Sequence, residues 1–261
     1  MNPIIDAHIH LDLYEESFRK QMLSELDQNS IIHLIAVSND LNSCLKNLTW
    51  SMQEQRIKPA LGFHPEQSLP SKEEAEKIAD LIRRYEKHIV AIGEVGLPYY
   101  TRQDHPEIHV PPYLDLLEHF LRLANELDKP VVLHAIYEDA DLVCDLLEKH
   151  QINHAHFHWF KGSPSTIKRM INNRFFISVT PDCLYEEEIH DLIKQYPLDL
   201  IMVETDGPWP FDGPFEHLAT HPKMIHDSVR KISELKNQAI ETVYDLLYKN
   251  TVKFYRLNRN E

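Results

Sequence analysis

The sequence predicts an α/β fold: a closed (β/α)8 barrel of the TIM type, one domain over residues 1–261, with extra C-terminal helices. Three observations predict it. Eight short apolar runs alternate with amphipathic stretches. The length of 261 residues suits such a barrel, typically ~250 residues. The third is the segment after the first run, His8-Ile9-His10-Leu11-Asp12. An open doubly wound sheet usually carries a Gly-rich phosphate loop there, and the whole chain has only six glycines.

The runs are Ile4–His8, Ile31–Val37, Pro59–Phe63, Ile89–Gly93, Pro130–His134, His154–His158, Phe175–Val179 and Leu200–Glu204. Most are rich in β-branched or aromatic residues, as buried parallel strands are. Between them, Phe18, Met22 and Leu26 recur every four residues, and Leu116, Phe120, Leu123 and Leu127 do so with one step of three. Leu142, Val143, Leu146 and Leu147 form another stripe, and such stripes are the core faces of helices. Ser163-Pro164 reads as a helix start, with Ser as N-cap and Pro at the first helical position. From His221 onward two further helices follow, one through Met224, Ile225, Val229 and Ile232, the next through Ile240, Val243, Tyr244 and Leu247. Strand–helix alternation implies parallel pairing through right-handed crossovers.

Composition narrows the function. Lys plus Arg is 27 and Asp plus Glu 41, for a net charge of −14. A protein that coats nucleic acid through many phosphate contacts is therefore disfavoured, and a local site would need bound cations to supply positive charge. Cys44, Cys144 and Cys183 are odd in number and far apart, which argues against a disulfide framework or zinc ribbon. No apolar run approaches the ~20 residues of a membrane span, and no secretory signal opens the chain. The expected location is the reducing cytoplasm. What stands out is 17 His in an acidic chain.

In a barrel of this kind the working residues sit at the C-terminal ends of the strands. Those ends carry His8 and His10, then His64, Glu94, His134, His158 and Asp206. Histidine with carboxylate is the donor set of borderline or hard divalent metals. His8 and His10, two apart on an extended chain, share a face and can serve one cation, with Asp6 behind them to fix a tautomer. Glu94 ends an apolar strand, where bare burial is costly, and its two oxygens can bridge two cations. His134 is a ligand for the second. On the sixth run His154, His156 and His158 share one face. His158 lies nearest the C-terminal end and is preferred, whereas a two-residue register error would promote His156. Asp206, in Glu204-Thr205-Asp206-Gly207-Pro208, can bind metal and take a proton from a metal-bound water. Glu204 shares its parity. His64 and Lys161 are candidate contacts to a substrate phosphate.

These segments, in this order, resemble the motifs of the TatD family of metal-dependent hydrolases: Asp6 to His10, Gly62-Phe63-His64-Pro65, Gly93-Glu94-Val95-Gly96-Leu97, Pro130 to His134, His158-Trp159-Phe160-Lys161-Gly162, Glu204 to Pro208, and Asn250-Thr251 with Phe254. The resemblance implies a TIM barrel with one or two divalent metal ions (Zn, Mn, Mg or Fe) and phosphodiester hydrolysis, often as a deoxyribonuclease. It implies His8 and His10 on one metal, His134 and His158 on the other, Glu94 between them and Asp206 beside the attacking water. The sequence departs from the family pattern at Pro98, at Ala135-Ile136 where a small residue and Arg are common, and at Ser178-Val179-Thr180-Pro181, which lacks the usual Gly.

The expected reaction is hydrolysis of a DNA or nucleotide phosphodiester, with a metal-bound hydroxide as nucleophile, Glu94 as catalytic bridge and Asp206 as general base. The same centre acting on an ester, amide or lactone, such as an aminoacyl ester, is the alternative. A non-catalytic metal- or partner-binding barrel is the third reading.

Overall fold

The computed structural model of the chain describes residues 2–257; Met1 and residues 258–261 of the predicted unit lie outside the described residues. Eight parallel strands run in sequence order: β1 (Ile4–Ile9), β2 (Ile31–Ala36), β3 (Ile57–Leu61), β4 (Ala91–Gly96), β5 (Val131–His134), β6 (Ala155–Phe157), β7 (Phe176–Val179) and β8 (Ile201–Val203). Around them lie α1 (Glu16–Ser24), α2 (Leu41–Gln53), α3 (Lys72–Arg84), α4 (Tyr99–Asp104), α5 (Val110–Glu126), α6 (Glu138–Lys149), α7 (Pro164–Asn172) and α8 (Glu187–Gln195), then α9 (Ile225–Lys236) and α10 (Ile240–Phe254). The predicted barrel with extra C-terminal helices is the observed architecture.

The seam between the first and last strands closes just above their ends. His10 N–H donates to Gly207 O at 2.8 Å, and Asp206 N–H to His8 O at 3.0 Å. Asp6 reinforces it by accepting from Thr205 N–H (2.9 Å) and Thr205 Oγ1 (2.5 Å). Residues two hundred apart in sequence are thereby locked together, and the last strand end is delivered to the first.

Ile5, Ala7, Ile35, Ala60, Ala91, Val132 and Met202 fill the barrel interior. Phe254 and Tyr255 join them from the end of α10. Tyr255 donates to Ala7 O at 3.0 Å and meets His156 Nδ1 at 2.8 Å, plugging the interior below the strand ends. Alternate strand residues such as Ile9, Leu34, Leu61 and Leu133 bury against the helices instead, the two-sided burial that made these runs uniformly apolar. Ser163 caps α7, accepting from Thr166 N–H at 3.2 Å with Pro164 at the first position.

Two strands differ from the apolar runs by two or more residues at both ends. β3 starts at Ile57 and ends at Leu61. β4 extends to Gly96, so Glu94 lies inside the strand and not beyond its end. Apolarity alone does not register a strand; pairing does, and β4 pairs β5 with an irregularity between Ile92 and Val95. A second irregularity interrupts β1 against β2 between Asp6 and Ile9. Such breaks re-aim side chains, and these two straddle Glu94 and His8.

Candidate metal centre

Four donors meet at the C-terminal mouth. His8 Nε2 and His10 Nε2 are 3.3 Å apart. Glu94 Oε2 lies 3.1 Å from the first and 3.3 Å from the second. Asp206 Oδ1 lies 3.3 Å from both. A tetrahedral ion with ligand bonds of about 2.0–2.1 Å holds its donors about 3.3–3.4 Å apart. Each carboxylate oxygen therefore stands at ligand spacing from both histidine nitrogens, and His8, His10 and Glu94 form a group that could hold a cation. Glu94 and Asp206 are buried, and among the described residues nothing but the His8 and His10 rings approaches Glu94 Oε2 or Asp206 Oδ1 as a hydrogen-bond donor. Buried, acceptor-only oxygens of this kind call for a positive partner.

The other Glu94 oxygen faces a second set. Oε1 lies 2.9 Å from His134 Nδ1 and 2.6 Å from His158 Nε2, and those nitrogens are 3.2 Å apart. An ion held by these three donors would face the cavity that His134 and His158 line, where it could supply Lewis acidity. The close β4–β5 approach that joins them needs glycine at position 96, where a Cβ would stand 2.0 Å from His134 O.

Electrostatics without a cation agree with this crowding. Burial pushes Glu94 up, but the surrounding His158, His64 and His8 rings and a hydrogen bond from His10 outweigh it and hold the carboxyl well below the usual range. Burial likewise opposes ionisation of Asp206, and His10 and His8 overcome it. Burial disfavours charge on His10, yet hydrogen bonds to Asp206 and Glu94 push it up to about 10. Positive charge is thus drawn into the site between two carboxylates.

His64 is different. Its Nδ1 accepts the Glu66 backbone N–H at 3.1 Å, so in the neutral ring the hydrogen is on Nε2, 3.5 Å from Glu94 Oε1. Burial pushes its pKa down to about 3. Although His64, Glu94 and His134 lie close enough to share an ion, this tautomer makes His64 a hydrogen-bond donor into the cavity. His8, His158 and Glu204 also group together; Glu204 Oε1 is engaged by Trp159 N–H at 2.7 Å, while its Oε2 is buried without a hydrogen-bond partner. His156 is one layer lower, held by Tyr255 and by Ser178 Oγ at 2.5 Å. Lys161 does not line the cavity; its Nζ is 4.0 Å from Asp182 Oδ2. Asp6, expected behind a histidine ring, instead binds Thr205 and the backbone N–H of His8. It acts on the seam, holding Thr205 through both carboxylate oxygens.

The cavity measures about 590 Å³ and is walled by Tyr100, Ile136, Trp159, Trp209 and Pro210. Its charged lining is Glu66, Asp104 and Asp206, with no Lys or Arg among the described residues. Sequence reasoning missed Glu66 and the three aromatic rings. Glu66 offered one signal, its place two residues past His64; the rings stand in loops whose approach only the fold reveals. Asp206 (φ 50°) and Trp159 (φ 38°) both adopt left-handed backbone, sparsely populated by such residues and concentrated at functional sites.

Residues 5–256 match the model of a family described as TatD related DNase. The chain belongs to the TatD family. A relative from Haemophilus influenzae, an uncharacterized metal-dependent hydrolase, is 36% identical over 97% of this chain and 100% of its own. Human deoxyribonuclease TATDN3 is 26% identical, covering 97% of this chain and 94% of its own. The crystal structure of the TatD homolog YjjV from Escherichia coli K12 superposes with a TM-score of 0.89 at 24% identity, covering 98% of each chain. It shares the TatD barrel.

Proposed function

We propose that this protein is a divalent-metal-dependent hydrolase of phosphodiesters, acting on DNA or a nucleotide at the C-terminal mouth of its barrel. One observation carries the reading: Glu94 directs one oxygen to His8 and His10, which Asp206 also approaches, and the other to His134 and His158. A carboxylate shared in this way suits a pair of cations, and paired cations suit in-line displacement at phosphorus. When bound, the ions supply Lewis acidity toward the phosphoryl oxygens and the attacking water. The chain's own residues do the rest. Asp206 reaches the His8–His10 set and also lines the cavity, which suits a proton acceptor for that water. His64 presents Nε2–H to an oxygen of the bound group. Tyr100, Trp159 and Trp209 offer faces for a base, since stacking on aromatic rings is sequence-tolerant. The human relative's name, deoxyribonuclease, points the same way.

A second reading keeps the metals and changes the bond to an ester or amide. The absence of Lys and Arg from the lining favours it, because a phosphodiester site commonly adds a cationic side chain. Parallel turnover of single-stranded DNA, a dinucleotide and a panel of carboxylic and aminoacyl esters by the metal-loaded enzyme separates the two. Faster hydrolysis of the phosphodiesters is expected. Turnover of the esters alone would overturn the primary reading.

A further inference from the structure

Glu66 sits in the loop after β3, and all of its carboxylate is in use. Oε1 accepts from His134 Nε2 at 3.0 Å and from Tyr100 N–H at 2.8 Å. Oε2 accepts from Thr101 N–H at 2.7 Å and Thr101 Oγ1 at 2.5 Å. Four acceptances saturate a carboxylate, which leaves no lone pair for a substrate proton. The loop is itself braced: Glu66 N–H binds His64 Nδ1, Gln67 Nε2 donates to Asn39 O, and Tyr113 donates to Gln67 O. A rigid acceptor thus faces one side of His134, while Nδ1 on the other side faces Glu94 and His158.

We infer that Glu66 is a positioning residue that fixes the His134 tautomer for cation binding and ties this ligand to the Tyr100 wall of the cavity. The inference rests on the cation reading above. A neutral imidazole has one N–H. An acceptor at Nε2 keeps that hydrogen there and leaves the Nδ1 lone pair for the ion, as carboxylate partners of metal-bound histidines do elsewhere. Because the same carboxylate accepts the first backbone N–H groups of α4, occupation of the ion site and order of the substrate wall are coupled through one side chain.

The test uses Glu66→Gln, which keeps size and has a single oxygen. Turned toward His134, its amide presents N–H₂ to Thr101 N–H; turned the other way, it presents N–H₂ to His134. Zn²⁺ affinity of each site is measured by chelator competition on the full chain, with the Co²⁺ visible spectrum as a second readout. One of the two ions is expected to weaken about 10–100-fold, with an altered Co²⁺ spectrum, while the His8–His10 ion keeps its affinity. Amide exchange at Tyr100 and Thr101 is expected to quicken. Thr101→Ala, which removes the side-chain donor and keeps the backbone N–H to Glu66, should leave both affinities intact. Unchanged affinities in Glu66→Gln, or equal weakening of both ions, would overturn the inference, the latter by showing general loosening. If the unsubstituted protein took up no ion, the cation reading itself would fail, a different result from either.

Discussion

Replacing Glu94 by Gln tests the bridge in one step. The side chain keeps its volume in a fully buried position, so packing is conserved and what changes is charge and donor strength. At a free ion concentration about 100 times each dissociation constant, a bound ion stabilises the native state by about 2.7 kcal/mol. Two sites give about 5.4 kcal/mol, and at about 2–4 °C per kcal/mol for a chain of this size the melting temperature rises by about 10–20 °C. Glu94 supplies one of four donors to the first set and one of three to the second. In Gln one set keeps a neutral amide oxygen and the other meets N–H₂, and with the shared negative charge gone each ion weakens by about the ~100-fold that indirect partners reach. The same concentration then only equals each dissociation constant, each site contributes about 0.4 kcal/mol, and the rise shrinks to about 2–3 °C. Differential scanning fluorimetry of metal-free protein titrated with Zn²⁺ or Mn²⁺ reads both numbers. A variant that retains about half of the shift would show that Glu94 serves one ion, and one that retains all of it would remove Glu94 from the centre.

Three further outcomes are expected. Asp206→Asn should weaken the His8–His10 ion and, with metal loading restored at high ion concentration and checked by elemental analysis, still lose about 10²–10⁴-fold in kcat; undiminished turnover with metal present would take Asp206 out of proton transfer. His10 carries its proton at neutral pH without a cation, since hydrogen bonds to Asp206 and Glu94 prevail over burial to push it up to about 10, so ion uptake must expel that proton and weaken as pH falls from 8 to 5. Calorimetry in two buffers of different ionisation heat reads the release. Because the folded value exceeds the ordinary 6.5, the stability His10 gives the metal-free protein is full below pH 6.5 and lost as pH rises through about 10. Gly96→Ala places a methyl against the His134 carbonyl; overpacking of about 1–3 kcal/mol should lower the melting temperature and weaken the ion held by His134 and His158, and an unaltered melting curve would count against the close β4–β5 approach.

Much of this was legible in the sequence because parallel strands are buried on both faces and read as unbroken apolar runs. The eight runs map onto eight strands, and the polar residues at their ends converge because the barrel gathers all strand ends at one mouth. His8, His10, Glu94, His134, His158 and Asp206 come together for that reason. What was illegible depends on contacts without a local pattern. Glu94 lies inside β4 because an irregularity against β5 shifts the register, which no run of apolar residues announces. Asp6 serves Thr205, and not a ring, because the seam between β1 and β8 closes across the whole chain. Glu66 joins His134 and α4 through a loop whose composition says only that it turns. Lys161, credible as an anion contact from its neighbours His158 and Gly162, points to Asp182 instead of the cavity.

Anomalous diffraction from crystals grown with Zn²⁺ or Mn²⁺ shows whether the buried Glu94 carboxylate joins two cation sites at the barrel mouth. One peak is expected enclosed by His8, His10, Glu94 and Asp206 and a second between Glu94, His134 and His158. Peaks confined to other residues, or none at the mouth under conditions that support turnover, would contradict that arrangement.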